Sequence, residues 1–277
     1  MARWTRGQRG RNVAIAMGFW VTVIASNLVA AVLKPESLQA WSAYLAATEA
    51  RRAREEADPQ RFLALDFASN RDSTRRAALA GAVPIEEVTA VDAAGHGIDM
   101  PSALVHDWRG VIFVPGCSLD RLLAGLEAAV PPQADVLRAE IEHRDGDTLT
   151  VFLRIRRAKV VTVVYDTEHL VRFVRLGPTR AVSATAATRI TEMADPGTSH
   201  ERPLEGDDDH GYLWRWNTYW RYEELPGGVL AECESVSLSR SVPAVVGLLV
   251  APLVNGVARE SMARSLEAVR TAYASPR

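Results

Sequence analysis

The stretch from Tyr212 to Glu224 holds three of the chain's seven tryptophans. Its even positions are Tyr212, Trp214, Trp216, Thr218, Trp220 and Tyr222. Its odd positions are Leu213, Arg215, Asn217, Tyr219, Arg221 and Glu223. In an extended strand successive side chains point to opposite faces, so the two sets separate into an aromatic face and a polar one. The aromatic face offers two outcomes. The rings fill a core, or they line a cavity for an apolar molecule, with Trp214, Trp216, Trp220 and Tyr222 as its wall. The polar face also has two readings. A hairpin centred on Pro226-Gly227 sets Arg221 opposite Glu232 and Tyr219 opposite Glu234, an ordinary cross-strand charge pairing. With the opposite facing, Arg215, Asn217, Arg221, Glu232 and Glu234 become ligand-binding groups.

Other chemistry is sparse. There is no glycine-rich phosphate loop, no Gly-x-Ser-x-Gly elbow and no His-Glu-x-x-His pair. The histidines His106, His143, His169, His200 and His210 have no metal-ligand spacing, and His96 lies in the Gly95–Gly97 turn. Cys117 and Cys233 are too few for a disulfide framework, and read as small buried hydrophobes or as a single pair. No catalytic residue, metal or cofactor is assigned, and the reading leans away from an enzyme. A formal charge of -2 gives no basic field for nucleic acid.

The elements that would position the aromatic strand follow from patterning. A helix is expected over Glu36 to Ala57, with Trp41, Tyr44, Leu45 and Thr48 on one face and a solvated charged run from Glu49 to Glu56. Residues 60–80 are mixed. Extended candidates are Val83–Val91 and Ala103–Val114, and Ser118 is a good N-cap for a helix from Leu119 to about Ala129. Strands are then expected at Leu137–His143, Thr148–Arg157, Lys159–Phe173, Arg180–Met193, Tyr212–Glu224 and Val229–Arg240, separated by turn residues such as Asp145-Gly146-Asp147 and Pro226-Gly227-Gly228. A long helix from about Pro243 to Tyr273 closes the chain, with Leu249, Leu253 and Val257 on its apolar side and Pro252 as a kink. The helix is the only element long enough to cover the aromatic face of a long antiparallel sheet, so Leu249, Leu253 and Val257 join the apolar ligand set.

The N-terminus has a different character. Arg3, Arg6, Arg9 and Arg11 precede Val13 to Leu33, which are 21 residues without a charge. This is an export signal, or a membrane anchor long enough to span a bilayer, which takes about 20 residues. Either places the chain after Lys34 outside the cytoplasm, periplasmic or held at the membrane. The division expected is 1–33 signal or anchor, 34–80 helical extension and 81–277 folded domain.

The order strand, helical excursion, six-strand meander, long helix resembles the helix-grip fold of the START, Bet v 1 and polyketide-cyclase superfamily. The resemblance is carried by His106-Asp107-Trp108-Arg109-Gly110, Gly116-Cys117-Ser118-Leu119-Asp120-Arg121, the run Gly211–Glu223, and Glu232-Cys233-Glu234 with Ser237-Leu238-Ser239-Arg240. It covers about residues 81–273 and is similar to an exported bacterial branch. It implies an α+β fold in which a curved antiparallel sheet of about seven strands wraps on the last helix, with the N-terminal helix as an extra. It implies a hydrophobic small molecule or lipid as partner, bound between sheet and helix. The alternatives are an aromatase/cyclase-like enzyme and a filled-core structural or protein-interaction domain. No catalytic residue of the superfamily carries over.

Overall fold

The structure is a computed structural model that describes residues 33–158, 162–204, 208–241 and 244–275, with the backbone alone for 244–255. The anchor or signal reading of 1–33 therefore lies outside the described residues, apart from Leu33. Among the described residues no helix is long and apolar enough to cross a membrane.

In chain order the elements are α1 (Pro35–Glu56), a 3-10 turn (Ala64–Phe67), α2 (Arg71–Leu79), β1 (Ile85–Glu87), β2 (Ala103–Pro115), α3 (Leu119–Ala128), β3 (Val136–Asp145), β4 (Thr148–Ala158), β5 (Thr162–Arg175), β6 (Arg180–Ala194), β7 (Arg202–Pro203), β8 (Arg215–Leu225), β9 (Gly228–Arg240) and α4 (Ala244–Tyr273). All strand pairs are antiparallel and form one sheet of order β1-β2-β9-β8-β6-β5-β4-β3, with β7 on β6. The first long strand thus pairs with the last, and the meander runs outward from them. This is the helix-grip arrangement expected, in an α+β fold. The sheet has nine strands where about seven were expected. The two-residue β7 was not expected, and β1 keeps only three residues of the Val83–Val91 candidate.

The turns do what their residues dictate. Ser118 Oγ accepts the Arg121 amide at 3.3 Å and starts α3. Gly227, at φ 92°, closes the β8–β9 hairpin in a conformation that glycine alone adopts freely. The hairpin then sets Arg221 opposite Glu232 and Tyr219 opposite Glu234, the register expected from Pro226-Gly227.

The two faces of the sheet are covered differently. On one, Trp108, Ile112, Ala231, Cys233 and Tyr222 pack with Leu119 and Leu122 of α3 and Met262, Leu266 and Val269 of α4. Gly110 lets α4 come close: a Cβ there would lie 2.6 Å from Leu266 Cδ1. Cys117 and Cys233 are both free and buried. The opposite face carries the N-terminal helices. Trp41 and Tyr44 pack with Tyr219, Val236 and Leu238, and Phe62, Leu63, Leu65 and Ala78 with Val111, Phe113 and Leu230. Residues 34–80 therefore share two hydrophobic clusters with the strands. The short helix α2, in a stretch that reads as mixed, belongs to the second of them.

Candidate functional site

On the α4 face, cross-strand partners line up in rows. One row runs Trp108, Ser235, Thr218, Thr185, Val171 and Leu149. A second holds Cys233, Trp220, Ser183 and Phe173. Trp220 stacks on Tyr222, two residues along the same strand, at 5.9 Å and 5°. Trp216 donates from Nε1 to Ser235 Oγ at 3.0 Å, and His169 meets its ring edge-on at 5.2 Å.

Trp216 and Trp220 are only half-buried, as are Thr185, Thr218, Ser235 and Ser237. Among the described residues Thr185, Thr218 and Ser237 have no side-chain hydrogen bond. The indole Nε1 of Trp108 and the phenol of Tyr165 are buried without a partner. Each unmet buried donor costs about 1–3 kcal/mol, and buried atoms without a hydrogen-bond partner also lie on the α1 side, at Thr48 Oγ1 and Asp107 Oδ1. Burial lowers the pKa of His169 to about 4, so its ring is neutral at physiological pH, and Nε2 pairs with Thr167 Oγ1 at 2.8 Å. Farther along this face Glu192 stands opposite Tyr165. It accepts from His210 through the amide at 3.2 Å and pairs with Nδ1 at 2.6 Å, a buried carboxylate meeting an exposed imidazole.

Of the aromatic set, Trp216, Trp220 and Tyr222 lie on this face. Tyr222 is fully packed, its hydroxyl 3.2 Å from Ser183 Oγ. Val257 is half-buried on α4. The side chains of Leu249 and Leu253 lie outside the described residues. Trp214 departs from the expected shared face. It precedes the first residue of β8 and is buried with Trp41, Tyr44 and Leu238, since strand alternation governs only residues within the strand.

The alternative polar set does not converge on the α4 face. Arg221, Glu232 and Glu234 point beneath α1. Arg221, fully buried, sits 2.7 Å from Glu55, 3.2 Å from Glu56 and 3.6 Å from Glu232. Glu232 accepts the amides of Ala64 at 2.8 Å and Leu65 at 3.1 Å, holding the start of the 3-10 turn. Glu234 binds Arg51 through both oxygens, at 2.5 and 2.6 Å. Tyr44 donates to Asp107 at 2.9 Å and accepts from the Ala90 amide at 3.0 Å. Among the described residues Arg215 donates only to the neighbouring Trp214 carbonyl, at 2.7 Å, and Asn217, half-buried, faces the same way as Arg221. Burial pushes the carboxyls of Asp107 and Glu232 upward, with Glu234 adding to the first and Arg221 opposing in the second.

The run Glu49–Glu56 is thus not a solvated face. Arg52 is buried, its guanidinium 4.9 Å over the Tyr219 ring, while Tyr219 donates to Glu49 at 3.0 Å. The charges of α1 match those of β8 and β9, so the helix end is drawn onto the sheet instead of into water.

No protein-family model matches the chain, and no curated protein does. Solved structures resemble it. One is a STAR-related lipid transfer protein fragment from Xanthomonas axonopodis, 15% identical over 67% of this chain and 97% of that one, TM-score 0.43. Human STARD10 is 11% identical over 68% and 69%, TM-score 0.42. The Zhui aromatase/cyclase of a Streptomyces species is 14% identical over 61% and 93%, TM-score 0.36. The fold assignment stands on strand order and register; these scores, each below 0.5, carry none of it.

Proposed function

We propose that the protein binds a hydrophobic small molecule or lipid between the sheet and α4, outside the cytoplasm. The observation that carries this reading is the half-buried pair Trp216 and Trp220 beside hydroxyls with no protein partner, on the face that α4 covers. Indoles give a molecule apolar area, worth about 25 cal/mol per Å² buried before the costs of binding. Thr185, Thr218 and Ser237 give hydrogen-bonding capacity to its oxygens. The location rests on four arginines followed by 21 uncharged residues, which orient a chain with its start inside.

An apolar fluorescent probe titrated into the full chain tests the binding. It should bind saturably and quench the indole emission, and Trp216→Ala should weaken it. A probe that partitions without saturation, or binds the Trp216→Ala chain unchanged, overturns the reading. For location, a reporter active only in the cytoplasm, fused after Arg277, should be silent.

A further inference from the structure

The α4 face is graded in polarity along β5. Phe173, Val171, His169, Thr167 and Tyr165 share that face by alternation. Phe173 lies in the row of Trp220 and Cys233, an aromatic end. Tyr165 lies about 26 Å farther along the strand. It stands opposite Glu192, and the next pair across the sheet but one sets Arg157 opposite Val163. This second end is polar.

Two groups at the polar end are unmet. The Tyr165 hydroxyl is buried with no hydrogen-bond partner among the described residues. Burial, with the charges of Glu192 and Asp209, pushes this phenol well above its usual pKa, so it keeps its proton and can donate. The other group is Asp135. Its Oδ2 accepts from Arg157 and, at 3.1 Å, from Arg264 of α4, while its Oδ1 is buried without a partner. Arg157 feels the charge of Asp135 and lies close enough to Tyr165 to feel it too. A spare donor and a spare acceptor therefore occupy one end of the face. Solvent is one side chain away, because Glu192 is buried and the imidazole bound to it is 40% exposed.

The unmet atoms of Thr48 and Asp107 lie among the paired charges beneath α1. Tyr165 instead packs in one cluster with the half-buried Trp216, on the face that holds the ligand in the reading above. The charge balance limits what can meet it. Glu192 and Asp209 bear on Tyr165 more strongly than does Arg157, which is already bound to Asp135. A ligand carboxylate would face like charge there, whereas an uncharged group would not.

We infer that the polar end receives an uncharged hydroxyl of a long-chain amphiphile, whose hydrocarbon runs past Trp216 toward Trp220 and Phe173. The hydroxyl accepts from Tyr165, and unlike an ether or ester it also donates, for which Asp135 offers the unmet oxygen. The inference rests on the binding reading above and adds the ligand's class and orientation.

The test is displacement of an apolar fluorescent probe from the full chain at neutral pH by dodecan-1-ol, dodecanoate or dodecane. The alcohol should displace it at about tenfold lower concentration than the carboxylate. Tyr165→Phe should weaken the alcohol about fivefold and leave the alkane unchanged. Its melting temperature should not fall, since the hydroxyl has no protein partner to lose. Glu192→Gln, which removes a charge, should narrow the gap between alcohol and carboxylate, and it decides the matter if the first variant does not fold. The inference is overturned if the carboxylate binds as well as the alcohol. It is also overturned if Tyr165→Phe binds the alcohol as the parent does or weakens alcohol and alkane alike, or if Glu192→Gln leaves the gap unchanged. A probe that never binds saturably to the parent chain defeats the binding reading itself, and the inference with it; a probe that binds while the alcohol is not preferred defeats the inference alone.

Discussion

Adjacent residues of β8 enter unlike surroundings. Arg221 is fully buried among carboxylates beneath α1, while Trp220 is half-buried toward α4 beside a serine and a cysteine. On the α1 face the charges are paired: Arg221 with Glu55 and Glu56, Glu234 with Arg51, Glu232 with two backbone amides. On the α4 face the hydroxyls of Thr185, Thr218 and Ser237 stand, among the described residues, without protein partners, while Ser183 pairs with Tyr222 and Ser235 with Trp216. The charged groups on one side hold the fold, and those three hydroxyls on the other are free to meet something else. The difference teaches that burial of a polar side chain marks a site only when its partners are missing.

The strongest way to break this contrast is to remove Arg221. Arg221→Met leaves Glu55, Glu56 and Glu232 without their shared cation, and breaking a buried pair by deleting one partner costs about 3–5 kcal/mol. Chemical denaturation should show that loss, with α1 more exposed to proteolysis. A loss below about 1 kcal/mol would mean that the cluster is solvated and that the two faces do not differ as described.

That cluster was half legible from sequence. The register Arg221–Glu232 and Tyr219–Glu234 follows from a tight turn at Pro226-Gly227, a local feature. The partners on α1 do not follow. Glu49 to Glu56 carries the charge density of a solvated helix face, and nothing local distinguishes it from one. The available signal was indirect: a strand face holding Arg221, Glu232 and Glu234, with α4 assigned to the other side, lacked a cover, and the only unassigned helix was rich in complementary charge. The separation of Arg221 from Glu56 by 165 residues hides that match from any window. Trp214 was misplaced because a strand start moves by a residue or two, which alternation cannot detect.

The second test concerns His169, a titratable group on the α4 face. Its pKa in the fold is about 4, lowered by burial, against about 6.5 unfolded. Between those values the unfolded chain binds more protons. Stability is therefore unaffected above about pH 6.5 and falls as the pH drops toward 4, by about 3 kcal/mol in all. His169→Gln should flatten that part of the stability profile relative to the parent chain. Equal slopes for both would show that the ring is reached by water in the fold.

A smaller effect is expected at Gly110, where α4 and the sheet come closest. Gly110→Ala drives a methyl against Leu266 Cδ1, with Ile85 Cγ1 at 3.0 Å and Met262 Cγ at 3.3 Å. Overpacking of this kind costs about 1–3 kcal/mol. The loss should appear in the melting temperature. An unchanged value would show that the C-terminal half of α4 yields freely, and that the covered face is loosely held along its whole length.

The smallest expected change in stability is the sharpest test of the contrast. Thr218 is half-buried in the middle of the α4 face and makes no side-chain hydrogen bond among the described residues. Thr218→Val keeps the branched shape that a strand favours and removes only the hydroxyl. Since no protein partner is lost, stability should move by no more than about 0.5 kcal/mol. Binding should respond differently. If Thr218 meets an oxygen of the bound molecule, a carbonyl-bearing apolar probe should lose about 1 kcal/mol, roughly fivefold in affinity, while a pure hydrocarbon probe should not weaken. The opposite pattern, a destabilised chain with both probes unaffected, would place Thr218 with Arg221 among the groups that build the fold. Equal weakening of both probes would mean that the valine altered the shape of the space, and that the hydroxyls of this face do not select for oxygen.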